Sequence, residues 1–153
     1  MSVIEDKNLA LDKPYSQSVW VVFSGETDIP WLKIFKPGFR HCFALLNDGE
    51  RWMSVDPISP YLDIQIYHHI AANFDLPNWL ESRGHRVVCT KMNKNHKKPA
   101  PCMVVTCVEM IKRVLGIHKR FIFTPWQLYR FLKKQNNKQQ QTEKSKGNFS
   151  WVS

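Results

Sequence analysis

The spacing of hydrophobic positions predicts short strands in the first part of the chain. Residues 18–24 are rich in β-branched and aromatic side chains and end before Gly25, which indicates a central strand covered on both faces. Residues 26–35 indicate a loop with a helical turn around Trp31, Leu32 and Phe35. Further short strands are predicted at 62–66, 86–90 and 118–123, and a short helix at 76–83, between Asp75 and Gly84.

Two helices with marked ends are predicted in the second part. Thr106 and Glu109 form the pattern Thr-x-x-Glu, a capping box that begins a helix at Cys107. Gly116 follows the last apolar residue and suits the left-handed position that ends a helix. A second capping box, Thr124-Pro-Trp-Gln127, predicts an apolar helix that ends near Lys134.

The order of these elements predicts one α+β domain, with an antiparallel sheet packed against a few helices. A chain of 153 residues is long enough to bury one core. We expect a flexible arm at 1–16, a single catalytic-type domain at 17–134, and a disordered polar and basic tail at 135–153.

Positive charge is concentrated in one part of the sequence. Residues 1–85 carry 7 Lys/Arg and 11 Asp/Glu, a net charge of −4, whereas residues 86–134 carry 12 Lys/Arg and one acid, a net charge of +11. This asymmetry indicates either an anionic partner bound through residues 86–134 or a solvated basic face.

Cysteine content and the N-terminal sequence indicate the cellular compartment of the protein. Four cysteines, at 42, 89, 102 and 107, are too few and too irregularly spaced to predict a disulfide framework. Neither a secretory signal nor an apolar run of about 18 residues is recognisable. We therefore expect free thiols and a cytoplasmic protein, with association with a phage particle as a further option.

The hairpin pattern places a histidine beside a carboxylate. Residues 40–46 and 51–55 flank Asp48-Gly49, the preferred pair for a two-residue turn. In that register facing residues have numbers summing to 97, so His41 faces Asp56 on the same side of the sheet. Cys42 then points to the opposite face, which indicates a core residue and not a second nucleophile.

Cys107 supplies the third group of a candidate catalytic triad. A thiol at the first helical residue lies over unpaired amides and the positive end of the helix dipole, which favours the thiolate. Acyl transfer by cysteine needs this nucleophile, a base such as His41, and a group such as Asp56 that orients the base. The Cys107 amide would be one oxyanion donor, the second being unassigned. Arg40 either steers a substrate carboxylate or is a surface charge.

Three pieces of sequence resemble the circularly permuted papain-like cysteine hydrolases, relatives of the NlpC cell-wall peptidases and of lecithin:retinol acyltransferase. They are Gly38–Leu45, Val55-Asp56-Pro57 and Thr106–Glu109, within a resemblance that covers roughly residues 18–134. It implies an antiparallel sheet against which the nucleophile helix packs, with Cys107 as nucleophile and His41 as base. It also implies a polar third residue on the next strand, which maps onto Asp56, although His or Asn is more typical of the family at that position. The resemblance implies a peptide-like or acyl substrate and no cofactor.

Three alternatives remain open at the level of sequence. A zinc site would draw on Cys89, Cys102, Cys107 and His41, His96 or His118, although no paired Cys-x-x-Cys motif is present. A basic module that binds nucleic acid or serves assembly would use the positive segment with Trp126, Tyr129 and Phe131. A degenerate enzyme that serves as a structural or assembly protein would retain the fold without turnover.

Overall fold

The structure is a computed structural model, and it describes residues 18–26, 30–58, 61–93 and 106–147. A short 3-10 helix at Pro30–Ile34 confirms the predicted helical turn. The strands are β1 (Ser18–Ser24), β2 (His41–Asn47), β3 (Trp52–Asp56), β4 (Asp63–Tyr67) and β5 (Arg86–Lys91), and the helices are α1 (Leu76–Ser82), α2 (Cys107–Leu115) and α3 (Pro125–Gly147).

The five strands form one antiparallel sheet in the order β4-β3-β2-β1-β5. The prediction of an α+β fold with an antiparallel sheet is confirmed. β1 lies between β2 and β5, and its last four residues, from Val21 to Ser24, are buried. The predicted central position of this strand is therefore correct.

Helices cover both faces of the sheet. One face buries Val21, Cys42 and Ala44 against Ile111 of α2 and Leu128 of α3. The other face carries a smaller cluster, which includes Val22, Leu45, Trp52 and Val87 together with Leu76 of α1. Alternation along β1 and β2 thus sends successive side chains into two separate clusters, as the pleat of a strand requires.

The hairpin between β2 and β3 has a longer loop than its sequence predicts. Asn47 pairs with Trp52, so residues 48–51 form the loop and paired numbers sum to 99. Asp48 explains the difference, because its carboxylate accepts the amides of Glu50 and Arg51 at 2.8 and 2.7 Å. The predicted two-residue turn is wrong, but a shift of two residues leaves every side chain on its predicted face.

The start and end of α2 agree with the sequence pattern. The Thr106 hydroxyl oxygen accepts the Glu109 amide at 3.2 Å, and Gly116 ends the helix at φ 67°. The Glu109 carboxylate contacts Lys112 Nζ at 2.7 Å and Arg113 Nε at 3.6 Å. Cys107 is therefore the first residue of α2, as the capping box predicts.

α3 begins as predicted and continues further. Thr124 and Gln127 cap it reciprocally, with hydrogen bonds of 3.2 and 3.1 Å. The predicted end near Lys134 is wrong, since the helix continues to Gly147 through residues expected to be a disordered tail. Gln and Lys dominate that stretch, and these residues favour helix even without an apolar face.

The strand predicted at 118–123 is also wrong. These residues form an irregular connection between α2 and α3, in which Ile122 packs against the core and Phe121 is exposed. Their β-branched and aromatic content misleads because neither edge of the sheet is extended by this segment.

Some predicted regions lie outside the described residues, namely the N-terminal arm at 1–16 and the end of the tail at 148–153. Within the described residues, no helix has the length and apolar character that crossing a membrane requires.

Candidate active site

Three elements meet where β2 begins and β3 ends. His41 is the first residue of β2, Asp56 is the last residue of β3, and Cys107 is the first residue of α2. Because β2 and β3 are antiparallel, the start of one lies beside the end of the other. Packing of α2 on β2 brings the N-terminus of the helix to this point. The three residues predicted to form a triad are therefore brought together.

His41 is held by Asp56. His41 Nε2 lies 2.6 Å from Asp56 Oδ1, and the two side chains are 18% and 26% exposed. The observed register makes this a diagonal contact and not a directly opposed pair, within reach of a long side chain on the same face. The contact uses Nε2, so Nδ1 is the ring nitrogen that remains for Cys107.

The environment of Cys107 stabilises its thiolate. The pKa of Cys107 is lowered from 9.0 to about 5, first by a hydrogen bond from the Cys42 thiol and then by the His41 ring and its positive charge. The backbone of Cys42 contributes a further hydrogen bond, whereas burial opposes the shift. A half-buried thiol at a helix N-terminus with these donors has the features of a nucleophile.

The pKa of His41 moves in the opposite direction. Burial is the largest single influence and lowers it, but hydrogen bonds to Asp56 and Cys107, together with their negative charges, raise it to about 9. Between about pH 5 and pH 9, Cys107 is therefore a thiolate and His41 an imidazolium. The two groups titrate as a coupled pair.

Cys42 is a part of the site that the sequence did not reveal. It is fully buried in the core, as predicted, and burial first, then its contact with Cys107, raises the pKa of its thiol. A protonated Cys42 suits a hydrogen-bond donor to the Cys107 thiolate. The only signal in the sequence is its position directly after His41 at the start of a strand.

Arg40 lies beside the site and is directed toward the protein. Its side chain is half-buried, and Nη1 donates to the Gly25 carbonyl oxygen at 3.3 Å. This contact connects the start of β2 to the residue that follows β1. Steering of a substrate carboxylate by Arg40 remains a prediction.

The zinc site considered as an alternative has no matching cluster of ligands in the part of the chain that is described. There, no group of three or more His, Cys, Asp or Glu side chains is placed to hold an ion. Cys89 lies on β5 and is exposed. Two of the other candidate ligands, Cys102 and His96, lie outside the described residues.

Asp56→Asn is expected to lower the pKa of His41 from about 9 toward its ordinary value of 6.5, because the variant removes a negative charge and weakens the hydrogen bond. An NMR titration of the imidazole would measure this pKa, with the resonance assigned by its loss in His41→Gln. Asp63→Asn is the matched control, since Asp63 faces Asp56 across the strands but bonds Gln65. A His41 pKa that is equal in both variants would contradict the role of Asp56.

No family model matches this sequence, and neither a curated protein nor a solved structure matches it.

Proposed function

We propose that this chain is a cysteine hydrolase that cleaves an amide or ester through an acyl-enzyme on Cys107. The observation that carries the proposal is the arrangement of Cys107 at the N-terminus of α2, beside a His41 that Asp56 holds at 2.6 Å. The opposite pKa shifts of the thiol and the imidazole add to it. Nucleophile, base and orienting group are the three parts that acyl transfer by cysteine requires.

The first half of the reaction uses the ion pair directly. The Cys107 thiolate attacks the carbonyl carbon of the substrate and forms a carbon–sulfur bond, while the carbonyl electrons move to the oxygen. The His41 imidazolium then donates its proton to the leaving amine or alcohol as the tetrahedral intermediate collapses. The products of this half are a thioester on Cys107, a neutral His41 and the released group.

The second half regenerates the enzyme. Neutral His41 accepts a proton from water, whose oxygen attacks the thioester carbonyl, and the carbon–sulfur bond breaks. The carboxylic acid leaves, and the Cys107 thiolate again faces an imidazolium. Asp56 fixes the orientation of the ring and stabilises its positive charge in both halves, without itself taking the proton.

The permuted papain-like hydrolases provide the expectation of substrate class. Their resemblance to this sequence supports a peptide-like or acyl substrate. The antiparallel sheet with α2 packed on it is compatible with the fold that the resemblance implies. Cys42, Cys89 and Cys107 carry free thiols, which suits action in a reducing cytoplasm. Action on a cell wall would then follow lysis or occur from a phage particle.

An activated ester tests the proposal without knowledge of the natural substrate. With p-nitrophenyl acetate we expect a burst of one p-nitrophenolate per chain and an acetyl group on the peptide that contains Cys107, located by mass spectrometry. Cys107→Ala should remove both. Cys89→Ser is the matched control, because Cys89 is an exposed thiol on β5, and this variant should retain the burst. Acetylation at Cys89 in preference to Cys107 would overturn the proposal.

A further inference from the structure

A basic groove lies between the α2–α3 connection and the exposed side of α3. Its volume is about 490 Å³, and none of its residues belongs to the candidate active site. We refer to it as the α3 groove, defined by Lys119, Arg120, Phe121, Phe131, Lys134 and Lys138.

The charge of the α3 groove has one sign. Two cations, Lys119 and Arg120, come from the connection, and two more, Lys134 and Lys138, come from α3. None of the described residues that line it is acidic. Lys134 and Lys138 are one turn apart on the same side of the helix, with Cβ atoms about 6 Å apart. The α3 groove therefore presents a row of positive charges that suits successive negative groups on one extended ligand.

Aromatic surface accompanies these charges. The side chain of Phe121 is 83% exposed, although it is one of the largest apolar side chains of the protein. Phe131, which is partly buried against the core, also lines the α3 groove, and the amide of Gln135 adds a polar group that both donates and accepts hydrogen bonds. An exposed ring next to cations is the arrangement on which an unpaired base stacks while its phosphates meet the positive charges.

We infer that the α3 groove binds single-stranded nucleic acid, a function beyond the proposed hydrolase. Its concave shape and row of cations suit an extended polyanion, whereas a membrane surface would require a wider protruding apolar area. Beyond Leu132, α3 is polar, so the exposed apolar surface near Phe121 is confined to the α2–α3 connection, where Phe123 is 49% exposed. The sequence also suggested Trp126 and Tyr129 for such binding, but both pack on Phe39. Their ring centroids lie 4.7 and 4.9 Å, respectively, from the Phe39 centroid.

Fluorescence anisotropy of a labelled 12-nucleotide oligothymidylate with the full chain tests this inference. We expect affinity to fall about fiftyfold between 50 and 200 mM salt if four phosphates are contacted. Phe121→Ala should weaken binding about fivefold or more through lost stacking. The double variant Lys134→Gln/Lys138→Gln should lower the salt slope by about 1.4. Lys33→Gln, an exposed cation in the 3-10 helix, is the matched control and should change neither quantity.

Several results would contradict binding of single-stranded nucleic acid in the α3 groove. No binding at 50 mM salt overturns the inference. Binding that is insensitive to Phe121→Ala, or equal for a duplex of the same length, also overturns it, because it then reflects attraction to any polyanion. Phe121-dependent binding to phosphatidylglycerol vesicles without binding to the oligonucleotide assigns the α3 groove to a membrane instead. Thermal melting confirms that each variant is folded, and the acetylation burst at Cys107 tests the hydrolase separately.

Discussion

Gly116→Ala is expected to lower the free energy of unfolding by about 3 kcal/mol, which corresponds to a fall in melting temperature of roughly 10 °C. Gly116 ends α2 in the left-handed region at φ 67°, where a residue with a Cβ loses about 1–2 kcal/mol. A Cβ at this position would also clash with the Asn93 carbonyl oxygen. The Asn93 backbone must then move, and its amide would lose the hydrogen bond to the Leu115 carbonyl.

Gly84→Ala separates the two causes. Gly84 also has a positive φ, 90°, but a Cβ there would meet nothing within 4 Å. Gly84→Ala should therefore lower the free energy of unfolding only through the strain of a left-handed backbone, without a clash. Thermal and denaturant unfolding of both variants would measure the difference. Equal destabilisation by the two substitutions would contradict the close approach of Asn93 to the end of α2.

The limits of α2 were predictable because local interactions determine them. The Thr106 hydroxyl and the Gly116 backbone act within a few residues of the helix, so the pattern of residues carries the information. Cys107 follows directly from that pattern as the first helical residue. The side of the sheet that carries His41 and Asp56 was predictable for the same reason, since the strand alternation survives a change of two residues in register.

The hairpin register itself was not predictable from the Asp48-Gly49 pair. Both a two-residue and a four-residue loop place glycine at a positive φ, here 96° at Gly49. The amides that the Asp48 carboxylate accepts decide in favour of the longer loop. The consequence for the site is small, because the His41 side chain still reaches Asp56 along the diagonal.

Contacts between distant parts of the chain account for what the sequence did not reveal. The thiols of Cys42 and Cys107 are brought together only when α2 packs on the sheet, so no local pattern indicates their hydrogen bond. Phe121 is similar, since its exposure depends on where the α2–α3 connection runs relative to α3. Helix formation in α3 beyond Lys134 is favoured by the helix propensity of Gln and Lys and by a long-range contact, in which Asn136 Nδ2 donates to the Cys89 carbonyl oxygen at 2.7 Å. The polar composition of this stretch does not indicate that contact.

Removal of His41 is expected to slow alkylation of Cys107 at pH 6. With a pKa of about 5, the thiol is almost fully ionised at this pH, whereas an ordinary thiol is about 0.1–0.3% ionised. A thiolate of low pKa is less nucleophilic, and this offsets most of the gain in ionisation. The Cys42 donors remain in His41→Ala and retain part of the pKa shift, so the net fall in rate is at most about tenfold.

Two internal comparisons make this prediction specific. Cys89 in the same molecule is an exposed thiol whose pKa is raised, chiefly by burial of part of its side chain, so it should react slowly at pH 6. His85→Ala removes a histidine outside the site and should leave the rate at Cys107 unchanged. A rate at Cys107 that is the same in His41→Ala and wild type would mean that the imidazole does not stabilise the thiolate.

The pH dependence of Cys107 alkylation, followed peptide by peptide with mass spectrometry, tests the thiolate–imidazolium pair most directly. In the wild type we predict a rate at Cys107 that rises with a midpoint near pH 5 and changes again near pH 9, where His41 loses its proton. In His41→Ala the first midpoint should move upward and the second change should disappear. A single midpoint near pH 9 in both proteins, with Cys107 no more reactive than Cys89, would contradict the proposed hydrolase.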